Sequence, residues 1–400
     1  MAFPKNTPRV VLKKDYKESL ALANPWIFKG AVEDVEGSLD PGDIAMVMDS
    51  KGDFLAWGYV NLQSQIAVRV LSKRIEAFPD NDLIKNRILN AIRYRLRHFK
   101  GPETDAFRLV NSEGDFLPGL IVDRYSDTVV LQVLTMGMER FRDVVVSTIV
   151  KEIKPLTIWE RSDTSLRKRE GLEQKNCLIY GENNTSVIIR ENGFLFYVDI
   201  KGGQKTGFYL DQRDSRLQLK DFASDLKILN CFSYTGGFSV YGLKYGARHV
   251  TNLDFSQLVM GILDKNLSLN NLSTENVQNI VGDAFDILRD MRGEGLSFDL
   301  IILDPPKFAQ SQAQLKAAIR GYKDINLQAM HLLRPGGILM TFSCSGAVSL
   351  ELFSKILAWS AIDAKRDIQI LKRLAQPIDH PWAPGLPESE YLKGLILKVF

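Results

Sequence analysis

Cysteine is scarce in this chain: its 400 residues hold only Cys177, Cys231 and Cys344, far apart and never in CxxC spacing. An odd, scattered set argues against a disulfide framework and a cysteine-ligated zinc site, and fits a reducing, cytoplasmic setting. No apolar run reaches the roughly 18 residues of a membrane helix, and the opening "MAFPKNTPRVVLKKDYKESL" has no apolar segment of the secretory kind. Repeats, low-complexity segments and a GxGxxG fingerprint are missing too. What remains is ordinary globular composition, 45% hydrophobic and 25% charged. That length suits two or three domains and needs no disulfide or metal to hold a core.

Charge of one sign is not in excess overall, because 51 Lys and Arg face 48 Asp and Glu, a net of +3. It is unevenly spread. Residues 1 to 30 carry Lys5, Arg9, Lys13, Lys14, Lys17 and Lys29 against Asp15 and Glu18. The segment from Ile84 to Gly101 has Lys85, Arg87, Arg93, Arg95, Arg97 and Lys100 and no acid. Arg161, Arg167, Lys168 and Arg169 form a third cluster. Basic patches on a near-neutral chain point to a local polyanion surface such as RNA, and equally to solvated helix faces.

Three regions separate by pattern. Residues 1–74 hold short β-type runs, "IAMVMD", "FLAWGYV" and "IAVRVL", punctuated by the turn-forming "DPGD" and "DSKGD". This predicts a small β-barrel. Residues 75–185 begin with apolar residues at helical spacing, with the arginines largely off that stripe. Then come strand, turn and strand over 107–135, a helix near Met138 to Lys154 and a strand at "LTIWERSD". This predicts an α+β middle domain. A hairpin over 186–200 opens the last region, 186–400. From Lys227 strands alternate with helices, which predicts βαβ units and a parallel, Rossmann-like sheet.

Such sheets bind ligands at the carboxyl ends of their strands. Four strand ends here carry informative residues. The first runs into "NCFSYTGGFSV", where Gly236 and Gly237 would let the backbone approach a ligand. The second ends at Asp254, suited to accept two ribose hydroxyls. The third leads to Asp283, placed for an adenine amino group, and the fourth to "DPPKF", Asp304 to Phe308. A nucleoside without a pyrophosphate fits, as in S-adenosyl-L-methionine. The block resembles the class I methyltransferase fold, in which a final antiparallel strand, here "YLKGLILKV", follows the parallel ones.

The residues leave the chemistry open between two readings. In amino-group methyltransferases an Asp-Pro-Pro-aromatic turn accepts from an exocyclic amine, but here Lys307 takes the aromatic's place and Phe308 comes one later. In carbon-5 pyrimidine methyltransferases the ring carbon needs a cysteine thiolate on carbon 6 before it can attack a methyl group. Cys344, in "TFSCSG" after the fifth strand, would stand beside Asp304, and the flanking serines read as a polar loop that exposes the thiol. A strand-end core cysteine is the alternative for Cys344. Cys231 reads as structural, and Cys177 lies outside the catalytic region.

The segments "KTGFYLDQRDSR", "LNCFSYTGGFSV", "LDPPKFAQ", "RGYKDIN" and "TFSCSG", with "NPWIFKGAV" near the start and "DHPWAPGLPESEYLKG" near the end, resemble the ribosomal large-subunit methyltransferase I family over essentially the whole chain. That resemblance implies an N-terminal PUA domain, S-adenosyl-L-methionine as cofactor and 5-methylcytosine formation in 23S rRNA. It implies Cys344 as nucleophile, with Asp304 in the acidic-Pro-Pro-Lys motif. Asn230, Phe232, Tyr234, Gly236, Asp254 and Asp283 match cofactor positions. Asp211, Gln212 and Arg213 in "DQR" line the cofactor or substrate cleft, or form a structural turn clamp. Lys307 and Phe308 fall to substrate. Other RNA carbon-5 methyltransferases carry a second cysteine in the fourth-strand motif. This chain has proline and lysine there, which leaves the base of the elimination step unassigned. Two alternatives stay open: a guanine N-methyltransferase, and a non-catalytic RNA-binding assembly factor. Neither a monomer nor a homodimer is excluded.

Overall fold

The computed structural model describes residues 7–16, 23–309 and 312–400. Lys5, Lys17 and Glu18 of the first basic cluster, and Gln310 of "LDPPKFAQ", lie outside them. The chain divides into two compact units. The first takes Met1–Ile189, Val198–Leu210 and Ile378–Ser389, and the second takes Arg190–Tyr197, Asp211–Pro377 and Glu390–Phe400. Among the described residues no helix is long and apolar enough to cross a membrane, and no group of His, Cys, Asp and Glu could hold a metal ion.

The first unit holds two sheets. β1 (Arg9–Leu12), β2 (Trp26–Phe28), β3 (Val32–Glu36), β4 (Ile44–Met48), β5 (Phe54–Val60) and β6 (Ile66–Ser72) pair in the order β2-β6-β5-β4-β1-β3. Alternation buries one face around Val10, Ile27, Val47, Ala56 and Val68. Next come α1 (Asn81–His98), β7 (Ala106–Asn111), β8 (Leu120–Tyr125), β9 (Thr128–Val133), α2 (Arg142–Ile153), β10 (Thr157–Arg161) and β11 (Asn176–Gly181), with sheet order β11-β10-β9-β8-β7. Residues 107–135 thus form three strands rather than two, since Ser126 and Asp127, with Ser126 left-handed, turn β8 tightly into β9. Tyr59 and Leu71 of the first sheet lie in the same core as α1 and α2.

Two of the basic clusters are open cationic surfaces only in part. Arg95 turns inward from α1, is 1% exposed, and pairs both Nη atoms with Asp115 at 2.6 and 2.7 Å. Arg161 and Arg167 are buried as well. Arg161 donates to the carbonyls of Ile200 and Gly203, and Arg167 to Val133 and the carboxylate of Glu139. A buried guanidinium is tolerated only when paired, and each of these is. Lys85, Arg93 and Arg97 on α1, Lys100 just beyond it, and Lys168 and Arg169 remain exposed.

A hairpin of β12 (Ser186–Glu191) and β13 (Phe194–Asp199) precedes the main sheet. The second unit then alternates as the pattern predicts: β14 (Lys227–Cys231), α3 (Gly237–Lys244), β15 (His249–Asp254), α4 (Gln257–Leu269), β16 (Val277–Val281), α5 (Ala284–Gly293), β17 (Phe298–Leu303), α6 (Leu315–Leu332), β18 (Leu333–Ser343), α7 (Leu350–Ala364), β19 (Ile368–Leu374) and β20 (Lys393–Val399). The order is β16-β15-β14-β17-β18-β20-β19, with the first five strands parallel and β20 antiparallel to both its neighbours. The central β17 is buried throughout, as a strand covered on both faces must be.

Candidate active site

The parallel strands end along one edge of the sheet, and the sheet order sets the sequence of side chains met there. From one side these are Asp283 after β16, Asp254 at the end of β15, the loop after β14, Asp304 after β17, Cys344 after β18 and Lys393 at the start of β20. Ligands of open parallel sheets sit at this edge, where the strand order reverses between β14 and β17.

The loop after β14 is held in an uncommon shape. Phe232 and Tyr234 are left-handed at φ 59° and 46°, and Gly236 follows at 79°. Non-glycine residues adopt this region at a cost, and such strain gathers where ligands are clamped. Asp254 fixes the loop by accepting the Tyr234 backbone N–H at 2.8 Å, and its other oxygen accepts from Ser256 N–H at 3.2 Å. Gly236 serves packing rather than ligand approach, because a Cβ there would lie 2.5 Å from Leu263 Cγ. Asp283 caps α5, accepting from Phe285 N–H at 2.7 Å, and stays exposed. Asn230 is buried, with its amide donated to Ser239 at 2.8 Å.

Polar capacity is left over around this loop. Asn230 Oδ1, Ser233 Oγ and Thr235 Oγ1 are buried without a partner. Unpaired buried acceptors and hydroxyls are costly and uncommon in native proteins. Three around one strained loop fit a polar ligand that completes them.

In the "DQR" stretch all three residues are buried: Asp211 accepts from Tyr391 Oη at 2.7 Å, and Gln212 and Arg213 are 2% and 3% exposed. Arg216 just beyond makes a two-pronged pair with Glu191 at 2.8 and 2.7 Å, and Tyr241 Oη donates to the same carboxylate at 3.0 Å. Burial and this phenol–carboxylate contact push the Tyr241 phenol up.

Around Asp304 and Cys344 the geometry departs from the expectation in three ways. Cys344 is half-buried with its thiol 3.9 Å from the Pro305 carbonyl, but the flanking serines do not form an open polar loop. Ser343 and Ser345 are fully buried, and Ser345 Oγ shares a 3.0 Å hydrogen bond with Tyr322 Oη. Phe308, expected at the substrate, has its ring packed 4.6 Å from Tyr322 and 5.8 Å from Phe285. Lys393 joins the site unpredicted. It is 6% exposed and its Nζ donates to the Ser345 carbonyl at 2.8 Å. Burial lowers its pKa to about 8, with Lys307 acting in the same direction and Cys344 and Glu390 opposing. In the sequence a lysine stands ahead of the apolar run "GLIL", which marks the position but not the strand it faces. Lys307 is exposed. Cys231 is fully buried, which pushes its thiol far up and makes it inert. Cys177 is exposed on β11 of the first unit.

The family description "S-adenosylmethionine-dependent methyltransferase" matches residues 155–397, and "PUA-like domain" matches residues 10–73. A protein named ribosomal RNA large subunit methyltransferase I from Pseudoalteromonas translucida is 44% identical over 98% of this chain and 100% of its own length. The protein of that name from Tolumonas auensis is 45% identical over 97% of this chain and 98% of its own. This chain belongs to the ribosomal RNA large subunit methyltransferase I family.

The fold comparison agrees. A Streptococcus mutans protein described as an S-adenosylmethionine-dependent methyltransferase superposes with a TM-score of 0.85 at 22% identity, covering 98% of this chain and 99% of that one. A solved methyltransferase complexed with SAH superposes at 0.86. As a member of this family the chain is an S-adenosyl-L-methionine-dependent methyltransferase with an N-terminal PUA-like domain. The strained loop and its unpaired polar atoms are where the residues fit that cofactor.

Proposed function

We propose that this methyltransferase forms 5-methylcytosine in 23S rRNA through a covalent adduct between Cys344 and carbon 6 of the base. The relatives' name supplies the rRNA, and the exposed cations of α1 suit a polyanion. The observation that carries the reading is Cys344, half-buried at the end of β18 beside Asp304 at the end of the adjacent β17.

Bound S-adenosyl-L-methionine supplies an electrophilic methyl group. The cofactor is assigned to Phe232, Tyr234, Asp254 and Asp283, with Gly236 shaping their loop and Asn230 and Asp211 supporting them from the interior. Asp304 holds the polar edge of the cytosine, and Lys307 meets the RNA from its exposed position. Phe308 shapes the pocket through Tyr322 rather than by stacking, and Gln212 and Arg213 brace the wall. Cys344 adds as thiolate to carbon 6, which makes carbon 5 nucleophilic enough to take the methyl group.

Unmodified 23S rRNA carrying 5-fluorocytosine should trap the wild-type protein as a covalent complex, and Cys344→Ala should abolish the complex and the methylation. Methylation that survived Cys344→Ala, or a product mapped by mass to a guanine nitrogen, would overturn the reading.

A further inference from the structure

The covalent route leaves one step without an agent: removal of the carbon 5 proton after methyl transfer. The strand order bears on which side that proton faces. The cofactor residues lie on the β14–β16 side of Asp304, and Cys344 and Lys393 lie on the β18–β20 side. A base held at Asp304 therefore meets the methyl donor from one side and the sulfur from the other. Arrival of the methyl group pushes the carbon 5 hydrogen toward the sulfur's side. There Lys393 stands opposite Ser343 in the β18–β20 pairing, and its Nζ is anchored 2.8 Å from the Ser345 carbonyl, directly after Cys344. We propose that Lys393 is the general base that takes the carbon 5 proton and so releases Cys344 from the methylated cytosine. This rests on the covalent reading above.

The surroundings suit the task. Burial and Lys307 disfavour the ammonium and bring its pKa to about 8, and Cys344 and Glu390 favour it. Tyr322, from α6, faces the same loop through Ser345. A base works best with a pKa near the working pH. The opposing effect of Cys344 gives the step its timing. While the sulfur is a thiolate, it holds Lys393 as the ammonium. Addition to carbon 6 moves the sulfur's charge onto the ring, methyl transfer from the sulfonium to carbon 5 discharges it, and the ammonium then loses its proton to water. After methyl transfer the neutral amine takes the carbon 5 proton. The C–H electron pair forms the C5–C6 double bond, the C6–S bond breaks, and its pair leaves on Cys344 as thiolate. One proton per methyl group reaches the water, matching the positive charge lost when the sulfonium becomes a thioether.

The test uses full-length protein with unmodified 23S rRNA and S-adenosyl-L-methionine. Lys393→Met keeps the apolar stem, and cofactor binding and thermal melting check that it folds. We expect it to methylate and then stall. A Cys344-linked protein–RNA complex carrying the methyl group should build up, and multiple turnover should fall about 10²- to 10⁴-fold. A second readout needs no cofactor: alkylation of Cys344 by iodoacetamide, followed from about pH 6 to about pH 10, should shift to higher pH in Lys393→Met once the cation is gone. A folded Lys393→Met protein that turns over normally without stalled complex overturns the proposal. So does one that forms neither complex nor methylated RNA, because Lys393 would then act before the proton step. If wild-type protein forms no Cys344-dependent complex with 5-fluorocytosine RNA, it is the covalent reading that fails.

Discussion

The carboxylate of Asp254 accepts the backbone N–H of Tyr234 at 2.8 Å, so the end of β15 holds a left-handed residue in the loop after β14. Removing it releases the strained loop and, on the proposed cofactor assignment, deletes an acceptor for the ribose. Asp254→Ala should weaken S-adenosyl-L-methionine binding about 10- to 100-fold, given roughly 1.5–3 kcal/mol for a hydrogen bond to a charged group. Calorimetric titration measures it, and an unchanged affinity would remove Asp254 from the cofactor site.

Gly236 is bound to its conformation by two independent constraints, a φ of 79° and Leu263 Cγ 2.5 Å from where a Cβ would sit. Gly236→Ala should cost about 2–4 kcal/mol in urea unfolding, the sum of left-handed strain and overpacking. Adding Leu263→Ala should not restore it, because the φ penalty remains and a cavity opens.

Glu191 and Arg216 are 0% and 3% exposed and pair through both oxygens. Glu191→Ala would strand a buried guanidinium and should destabilise by about 3–5 kcal/mol. The double variant Glu191→Leu with Arg216→Met should recover most of that loss, which chemical denaturation of both proteins will decide.

Neighbouring arginines of α1 should respond oppositely to alanine. Arg97 is exposed, so Arg97→Ala should leave melting unchanged and lower the salt slope of RNA binding by about 1. Arg95 is locked to Asp115 and to the Asp379 carbonyl, so Arg95→Ala should lower the melting temperature, while any loss of RNA affinity only follows from unfolding. An unchanged salt slope for Arg97→Ala would take this helix out of the RNA surface.

Lys393 makes stability depend on pH in a definite direction. Its folded pKa, about 8, lies below the ordinary 10.5, so the unfolded chain binds more protons between those values. Stability contributed by this group therefore rises as pH climbs from about 8 toward about 10.5 and is lowest below that window. Relative to Lys393→Met, the wild-type protein should gain stability across that range. A flat difference would mean that the amine is not desolvated as its burial requires.

Much of this was legible in the chain. Alternating strands and helices after Lys227 fixed the parallel sheet, and with it the edge where Asp254, Asp304 and Cys344 gather, because a period of two against 3.6 is a local property. The fates of Arg95, Arg161 and Arg167 were not legible. A cationic side chain reads as solvated until a distant carboxylate or carbonyl is known to meet it. Lys393 and the buried Ser343 and Ser345 escaped for a related reason. Their roles come from pairing β18 with a strand fifty residues on, and no pattern within either strand announces the other.

The interleaving of the two compact units reaches beyond the finished molecule to its making. Asp379 accepts from Arg108 N–H at 2.9 Å, and the Pro381 carbonyl accepts from Asn111 at 2.7 Å, so the first unit is completed by residues near the far end of the chain. Domains emerging from a ribosome generally fold in order as they appear. Here the earlier unit gains these contacts only after residues 378–389 have been made. A nonsense codon after Pro377 would leave neither unit whole.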